Sequence, residues 1–373
     1  MKPRLLVVCA AALALVPPAL AAGPSVHARA YIVEDGRTGE VLLAHRPSRR
    51  VPIASLTKMM TVLLTLERSR LTDVVTISPD AAEVGESSIG LRAGEKISVR
   101  DLVEAALIQS ANDAAWALAD HVGHGDETRF VALMNRRARQ FGLNDTHFVR
   151  PDGLDAPGHV SSARDVTTLA RLLMQKPVVR KIVAMRDATI EGDRHLHTWN
   201  DLLGAYPGVV GVKTGHTAAA GWSQAGAVRG PGVTVYATIL GSPSRRVRND
   251  DLAGLMTWGL ARFHVVDAVS AGRVYASART SYDKGELDLV APRSVGRALV
   301  TGRALVERIV ALMGVDLPVR KGQEIGEVRV YERDKLVARS PLVAARSIDE
   351  PSVAARAGWY AKRAAHNMWG WVS

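Results

Sequence analysis

Residues 55–68 read SLTKMMTVLLTLER, and the rest of the chain is organised around this stretch. A serine opens it, and Met59, Met60, Leu63 and Leu64 fall on or near one side at helical spacing, so the pattern predicts an amphipathic helix. Ser55 and Lys58 are three residues apart, one turn away from each other on the same face. The Lys58 amine can therefore reach the Ser55 hydroxyl and act as its base. A helix N-terminus beside them favours the oxyanion that develops after attack. A Ser-x-x-Lys motif is expected about once by chance in a chain of this length, and Ser281-Tyr282-Asp283-Lys284 repeats it with no helical pattern behind it.

Upstream, residues 30–45 alternate around Asp35-Gly36 and Thr38-Gly39, which predicts two short strands and a tight turn. Downstream, helical patterns recur at 101–122, 127–141 and 163–175. Strand-like runs follow at 208–214, 221–228 and 232–240, then a helix near 246–262. Early strands, a central helical block and late strands imply an α/β domain whose antiparallel sheet draws its edges from distant parts of the chain. After about residue 264, short β-branched runs broken by Gly, Pro and Asp predict a small all-β module ending near residue 350.

Two further motifs lie in this frame. Ser110-Ala111-Asn112 interrupts the 101–122 pattern with residues that compete for backbone hydrogen bonds, so a break facing a cleft is expected. There Ser110 could relay protons and Asn112 could hold a substrate amide. Lys213-Thr214-Gly215-His216-Thr217 ends a strand-like run. Gly215 would let a ligand lie against the strand edge, while Lys213 and Thr214 offer donors to a carboxylate.

The three motifs, in this order, define the penicillin-binding proteins and serine β-lactamases, whose fold the chain is expected to share. Within that group it resembles a low-molecular-mass D-alanyl-D-alanine carboxypeptidase of peptidase family S11. The resemblance runs through PIASLTKMMT, GLRAGEKISVRDLVEAALIQSANDAAWALADHV, FGLNDTHFVRPDGLDAPGHVSSARD and GVKTGHTAAAGW, over about residues 27–262. It implies that Ser55 attacks the D-alanyl-D-alanine bond of a peptidoglycan pentapeptide stem, with Lys58 as base. It also implies that Ser110 and Lys213 assist protonation of the departing D-alanine. The N–H groups of Ser55 and His216 would form the oxyanion hole, and Thr214 and Arg248 would receive the terminal carboxylate. β-Lactams would acylate the same serine. Asp152 stands where many relatives carry histidine, which puts rate or preference in that loop in question. The 146–155 stretch THFVRPDGLD offers no glutamate for a deacylating water, which weighs against a β-lactamase. A DD-endopeptidase that cuts crosslinks, or an inactive membrane-tethered penicillin-binding scaffold, could carry the same three motifs.

The ends of the chain set location. Residues 1–21 carry Lys2 and Arg4 before an apolar run, then Pro17, Pro18 and Ala19-Leu20-Ala21, the pattern of an export signal cut near Ala21 or Ala22. The only cysteine, Cys9, lies inside it, so the exported chain would hold neither disulfide nor cysteine metal site. Domains are then expected at 22–262 (catalytic), 263–350 (β-rich) and 351–373 (amphipathic helix). The last segment carries Arg356, Lys362 and Arg363, no acidic residue, and Trp359, Trp369 and Trp371, which suits an anionic membrane interface. The chain carries a net charge of +11, but export, 5% aromatics and no zinc-finger spacing exclude a nucleic-acid partner. The expected location is the periplasmic face of the inner membrane. No cofactor is expected, and His195 and His197, with no carboxylate or third histidine at ligand spacing, read as structural.

Overall fold

The computed structural model describes residues 5–13 and 22–369. Lys2, Arg4, the two prolines and the proposed cleavage point of the leader lie outside these residues, as does Trp371. Cα packing divides the chain into two compact units, one holding residues 22–262 and the other residues 5–13 with 263–369.

The first unit is built on a five-stranded antiparallel sheet in the order Val41–His45, Ala30–Asp35, Val233–Ser242, Gly221–Gly230, Val209–Thr217. The register pairs Ile32 with Thr238 and Lys213 with Ala225, so N-terminal and late segments share one sheet. Because side chains alternate along a strand, each face takes a different helix. On one, Val33 and Val235 press against Gly259 of helix Arg245–Leu260. On the other, the Thr238 hydroxyl accepts a 2.6 Å hydrogen bond from Thr167 of helix Ala163–Leu173.

Helix Lys58–Arg68 packs among Val99–Leu107, Asn112–Gly123, Glu127–Gln140 and Ala163–Leu173. The spacing predicted one apolar face, but every residue from Lys58 to Thr65 is buried, because helices surround this one on all sides. Three of these neighbours are started by side chains that accept the first orphan N–H groups: Ser98 from Asp101, Asp126 from Arg129 and Ser162 from Asp165. The 101–122 pattern is two helices, Val99–Leu107 and Asn112–Gly123, broken at the Ser-x-Asn motif, where Ser110 takes φ 67°.

The second unit has its own core and a seven-stranded sheet that includes Val274–Thr280, Glu286–Val290, Leu305–Leu312, Glu324–Glu332 and Lys335–Ala344. Residues 5–13, which the sequence assigns to the leader, form strand Leu5–Leu13, antiparallel to Leu305–Leu312. The second Ser-x-x-Lys stretch is a turn whose Ser281 hydroxyl lies against Val315 O and the Asp316 carboxylate. The same turn receives helix Val353–Trp369: Trp359 Nε1 donates to Asp283 at 3.0 Å and stacks edge-on with Tyr282. Val353 and Tyr360 of that helix stay largely exposed. Among the described residues no helix is long and apolar enough to cross a membrane.

Candidate active site

Three separate segments meet at the Lys58 side chain, which is fully buried. Its Nζ lies 2.8 Å from Ser55 Oγ, 2.7 Å from Asn112 Oδ1 and 2.8 Å from the carbonyl oxygen of Asp152. The last two atoms can only accept. In the neutral amine the two N–H bonds therefore go to Asn112 and Asp152, and the lone pair is left facing the Ser55 hydroxyl. That is the arrangement a general base needs. Burial lowers the Lys58 pKa to about 8, against the opposing pull of the Asp152 and Asp113 charges.

The second lysine is equally enclosed. Lys213 Nζ donates to Ser110 Oγ and to Thr214 O, both at 2.8 Å. Burial, then the positive charges of Lys58 and Arg248, hold its pKa well below the ordinary lysine value. The two buried amines disfavour carrying charge together, so their titrations are linked.

Backbone conformation carries these groups to one place. Ser55 sits in the turn Ala54–Thr57 ahead of helix Lys58–Arg68, and strand Val209–Thr217 runs beside it. The approach favours glycine at 215, where a Cβ would stand 3.0 Å from Ile53 O and 3.1 Å from Ser55 N, tighter than ordinary contact. On the other side Gly153, at φ 89°, lies so close that a Cβ would collide with the Ala54 carbonyl.

Asn112, read from its motif as a substrate contact, makes two bonds inside the protein. Its Oδ1 takes the Lys58 bond and its Nδ2 donates to Gly85 O at 3.0 Å, so the side chain positions the base. The next residue, Asp113, is fully buried and accepts from Ser88 Oγ and the N–H groups of Ile89 and Leu91, fixing the loop beside the cleft. The Asp152 carboxylate has other partners. It accepts from Arg150 Nε at 2.7 Å, Trp116 Nε1 at 2.7 Å and Leu154 N at 3.0 Å. Burial works to raise its pKa, but Arg150, Lys58 and that N–H together hold it below the usual carboxylate value. Asp152 thus places a held negative charge close to the Lys58 amine.

At the rim, His216 is exposed and stacks on Trp222, centroids 4.0 Å apart, and the Arg248 guanidinium lies 5.8 Å from the Trp222 ring. Arg248 is almost fully buried, its Nε and Nη2 donating to Asn249 Oδ1 and Nη2 also to Asp201. Burial lowers its pKa to about 10. Thr214 is buried at the adjoining strand end. His195 and His197 lie apart from this cluster on a hairpin, and a carboxylate does accompany them. Strand pairing sets Asp187 opposite His197, 2.6 Å from its Nδ1, an approach that spacing along the chain did not show. Among the described residues no group of three or more such side chains could hold a metal.

A serine and a lysine sharing a buried hydrogen bond, a second serine–lysine pair and a glycine-edged strand on this sheet define an acyl-transfer enzyme of the serine–lysine class. The D-alanyl-D-alanine carboxypeptidase model of peptidase family S11 matches residues 18–244. D-alanyl-D-alanine carboxypeptidase DacD of Escherichia coli strain K12 is 34% identical over 360 residues, covering 90% of this chain and 91% of the relative. Penicillin binding protein 5 from Haemophilus influenzae superposes with a TM-score of 0.65 at 30% identity, over 88% of this chain and all of that one. Penicillin-binding protein D2 from Listeria monocytogenes, in its ampicillin-bound form, does so with a TM-score of 0.58 at 32% identity, over 63% and 98%. The chain belongs to the peptidase S11 family and is a D-alanyl-D-alanine carboxypeptidase.

The Asp152 charge makes a sharp prediction. It stabilises protonated Lys58, so Asp152→Asn lowers the Lys58 pKa from about 8 and moves the acidic limb of the acylation rate to lower pH. The pH dependence of penicillin acylation, compared between the two proteins, reads this. A limb that stays in place or moves upward contradicts it.

Proposed function

We propose that the chain removes the terminal D-alanine from peptidoglycan pentapeptide stems through an acyl-enzyme on Ser55. The observation that carries this is the Lys58 amine, bonded to the Ser55 hydroxyl and to two oxygens that can only accept. Neutral Lys58 takes the Ser55 proton as Oγ attacks the carbonyl of the D-alanyl-D-alanine bond. The N–H groups of Ser55 and His216 hold the oxyanion, an assignment supported by the close approach that Gly215 permits. Ser110, bonded to Lys213, delivers a proton to the departing amine. Asn112 keeps a second Nδ2 hydrogen for a substrate amide. Thr214 meets the terminal carboxylate, with the Lys213 amine and the Arg248 guanidinium close by. Water then releases the shortened stem.

β-Lactams enter by the same attack, as the ampicillin-bound relative supports. Deacylation of that adduct is slow, because both carboxylates of the 146–155 stretch are already engaged. Asp152 is held by Arg150 and Trp116, while Asp155 accepts from Thr217 Oγ1 at 2.7 Å and Ala219 N at 3.1 Å. Purified protein is expected to release D-alanine from a pentapeptide ending in Lys-D-Ala-D-Ala and to retain labelled penicillin, and Ser55→Ala to abolish both. Labelling that survives in Ser55→Ala overturns the nucleophile. Cleavage of a crosslinked dimer without D-alanine release from the pentapeptide turns the reading to an endopeptidase.

The exported enzyme works at the periplasmic face of the inner membrane, held there by residues 351–373. The exposed Val353, Tyr360 and Lys362 support contact with an anionic surface. The Trp359 bond to Asp283 keeps the start of the helix on its own β unit. A chain ending at Glu350 is expected to move from the membrane to the soluble fraction. Unchanged membrane association refutes the anchor.

A further inference from the structure

The turn that presents Ser55 contains a conformation an alanine does not readily adopt. Ala54 has φ 49° and is buried. Its carbonyl oxygen accepts a 2.9 Å bond from Thr57 Oγ1. Thr57 Oγ1 in turn lies 2.7 Å from His159 Nε2. The Val149 N–H points at the remaining ring nitrogen, Nδ1, at 3.1 Å.

The roles along this chain are forced. A backbone N–H only donates, so Nδ1 of His159 is the acceptor and carries no hydrogen. The hydrogen of the neutral ring is then on Nε2, which donates to Thr57 Oγ1. That leaves the Thr57 hydroxyl hydrogen for the Ala54 carbonyl. His159 is buried, and burial lowers its pKa to about 4, so the neutral ring persists across the working range. The bonds run in one direction from Val149 through the imidazole and the hydroxyl to Ala54.

The Ala54 carbonyl and the Ser55 N–H belong to one planar trans peptide and point in opposite directions. Fixing the oxygen therefore aims the N–H. Gly153 bears on the carbonyl side of this peptide and Gly215 on the N–H side, so the plane is held between two backbones.

We propose that His159 is a positioning residue for acylation, aiming the Ser55 N–H of the oxyanion hole through Thr57 and the Ala54 carbonyl. The inference rests on Ser55 as nucleophile. It gives work to a buried titratable group that touches neither the second lysine pair nor the carboxylate end of the cleft. A histidine kept only for packing, edge-on against Phe148, would leave Thr57 replaceable by an isostere.

The test uses the full chain and stopped-flow penicillin acylation, which separates the non-covalent dissociation constant from the acylation rate constant. His159→Ala and Thr57→Val are each expected to lower the acylation rate constant about 10- to 100-fold, the scale of a compromised oxyanion donor. The dissociation constant should stay within about twofold, since neither side chain holds ligand. The double variant should be no slower than the slower single one, because both break the same chain. Thr57→Ser, which keeps the hydroxyl, should restore most of the rate. Wild-type acylation in Thr57→Val, or multiplicative losses in the double variant, overturns the proposal. Should the variants not fold, side-chain nitrogen NMR of the unaltered protein decides: a bare Nδ1 and protonated Nε2 on His159 support the chain, and a protonated Nδ1 refutes it. Ser55→Ala is the control. Labelling that persists there removes the nucleophile itself, whereas an unlabelled Ser55→Ala beside unaffected His159 variants removes only this inference.

Discussion

The site depends on keeping a lysine amine dry. An unpaired ammonium in a protein interior is costly, and the group loses its proton instead unless opposite charge or acceptors hold it. Around Lys58 the balance is set so that both forms stay within reach. Three oxygens satisfy the ammonium and two satisfy the amine. The acceptors come from the turn Ala54–Thr57, from the start of helix Asn112–Gly123 and from the loop around residue 152. A fold that brings these together has fixed the catalytic centre, and the helical packing around Lys58–Arg68 excludes the water that would return the amine to its ordinary basicity.

The strand Val209–Thr217 supplies the other half. It carries Lys213 into the same interior and lays its edge on the nucleophile turn. Two glycines, 153 and 215, allow backbone to touch backbone on either side of the Ala54–Ser55 peptide. The Ala54–Ser55 peptide is thus held by main-chain contact and a short hydrogen-bond chain.

Much of this was legible in the sequence. Ser55, Lys58, Ser110, Asn112 and Lys213 carry their chemistry in side chains at short spacings, and the polar break at 110–112 announced the end of one helix and the start of another. Groups that act through the backbone were not legible. The Asp152 carbonyl on Lys58 has no side-chain signature, and the held Ala54 conformation belongs to a residue with no polar group at all. Contacts made by strand pairing or tertiary packing were also hidden. Asp187 reaches His197 only because two strands pair, Asp113 is explained only by a loop more than twenty residues upstream, and His159 meets Thr57 across about a hundred residues. Burial of residues 58–65 exceeded the apolar pattern, and Thr61 and Thr65 bond backbone carbonyls there, as buried hydroxyls must.

The central claim is that Lys58 titrates far below an ordinary lysine, which brings its free amine within reach near neutral pH. Titration of the lysine side-chain nitrogens by NMR in uniformly labelled protein, with the Lys58 signal assigned through its loss in Lys58→Gln, addresses it directly. The account predicts that Lys58 loses its proton at about pH 8, far below an unperturbed lysine. A Lys58 signal that stays protonated up to the ordinary lysine range would contradict it.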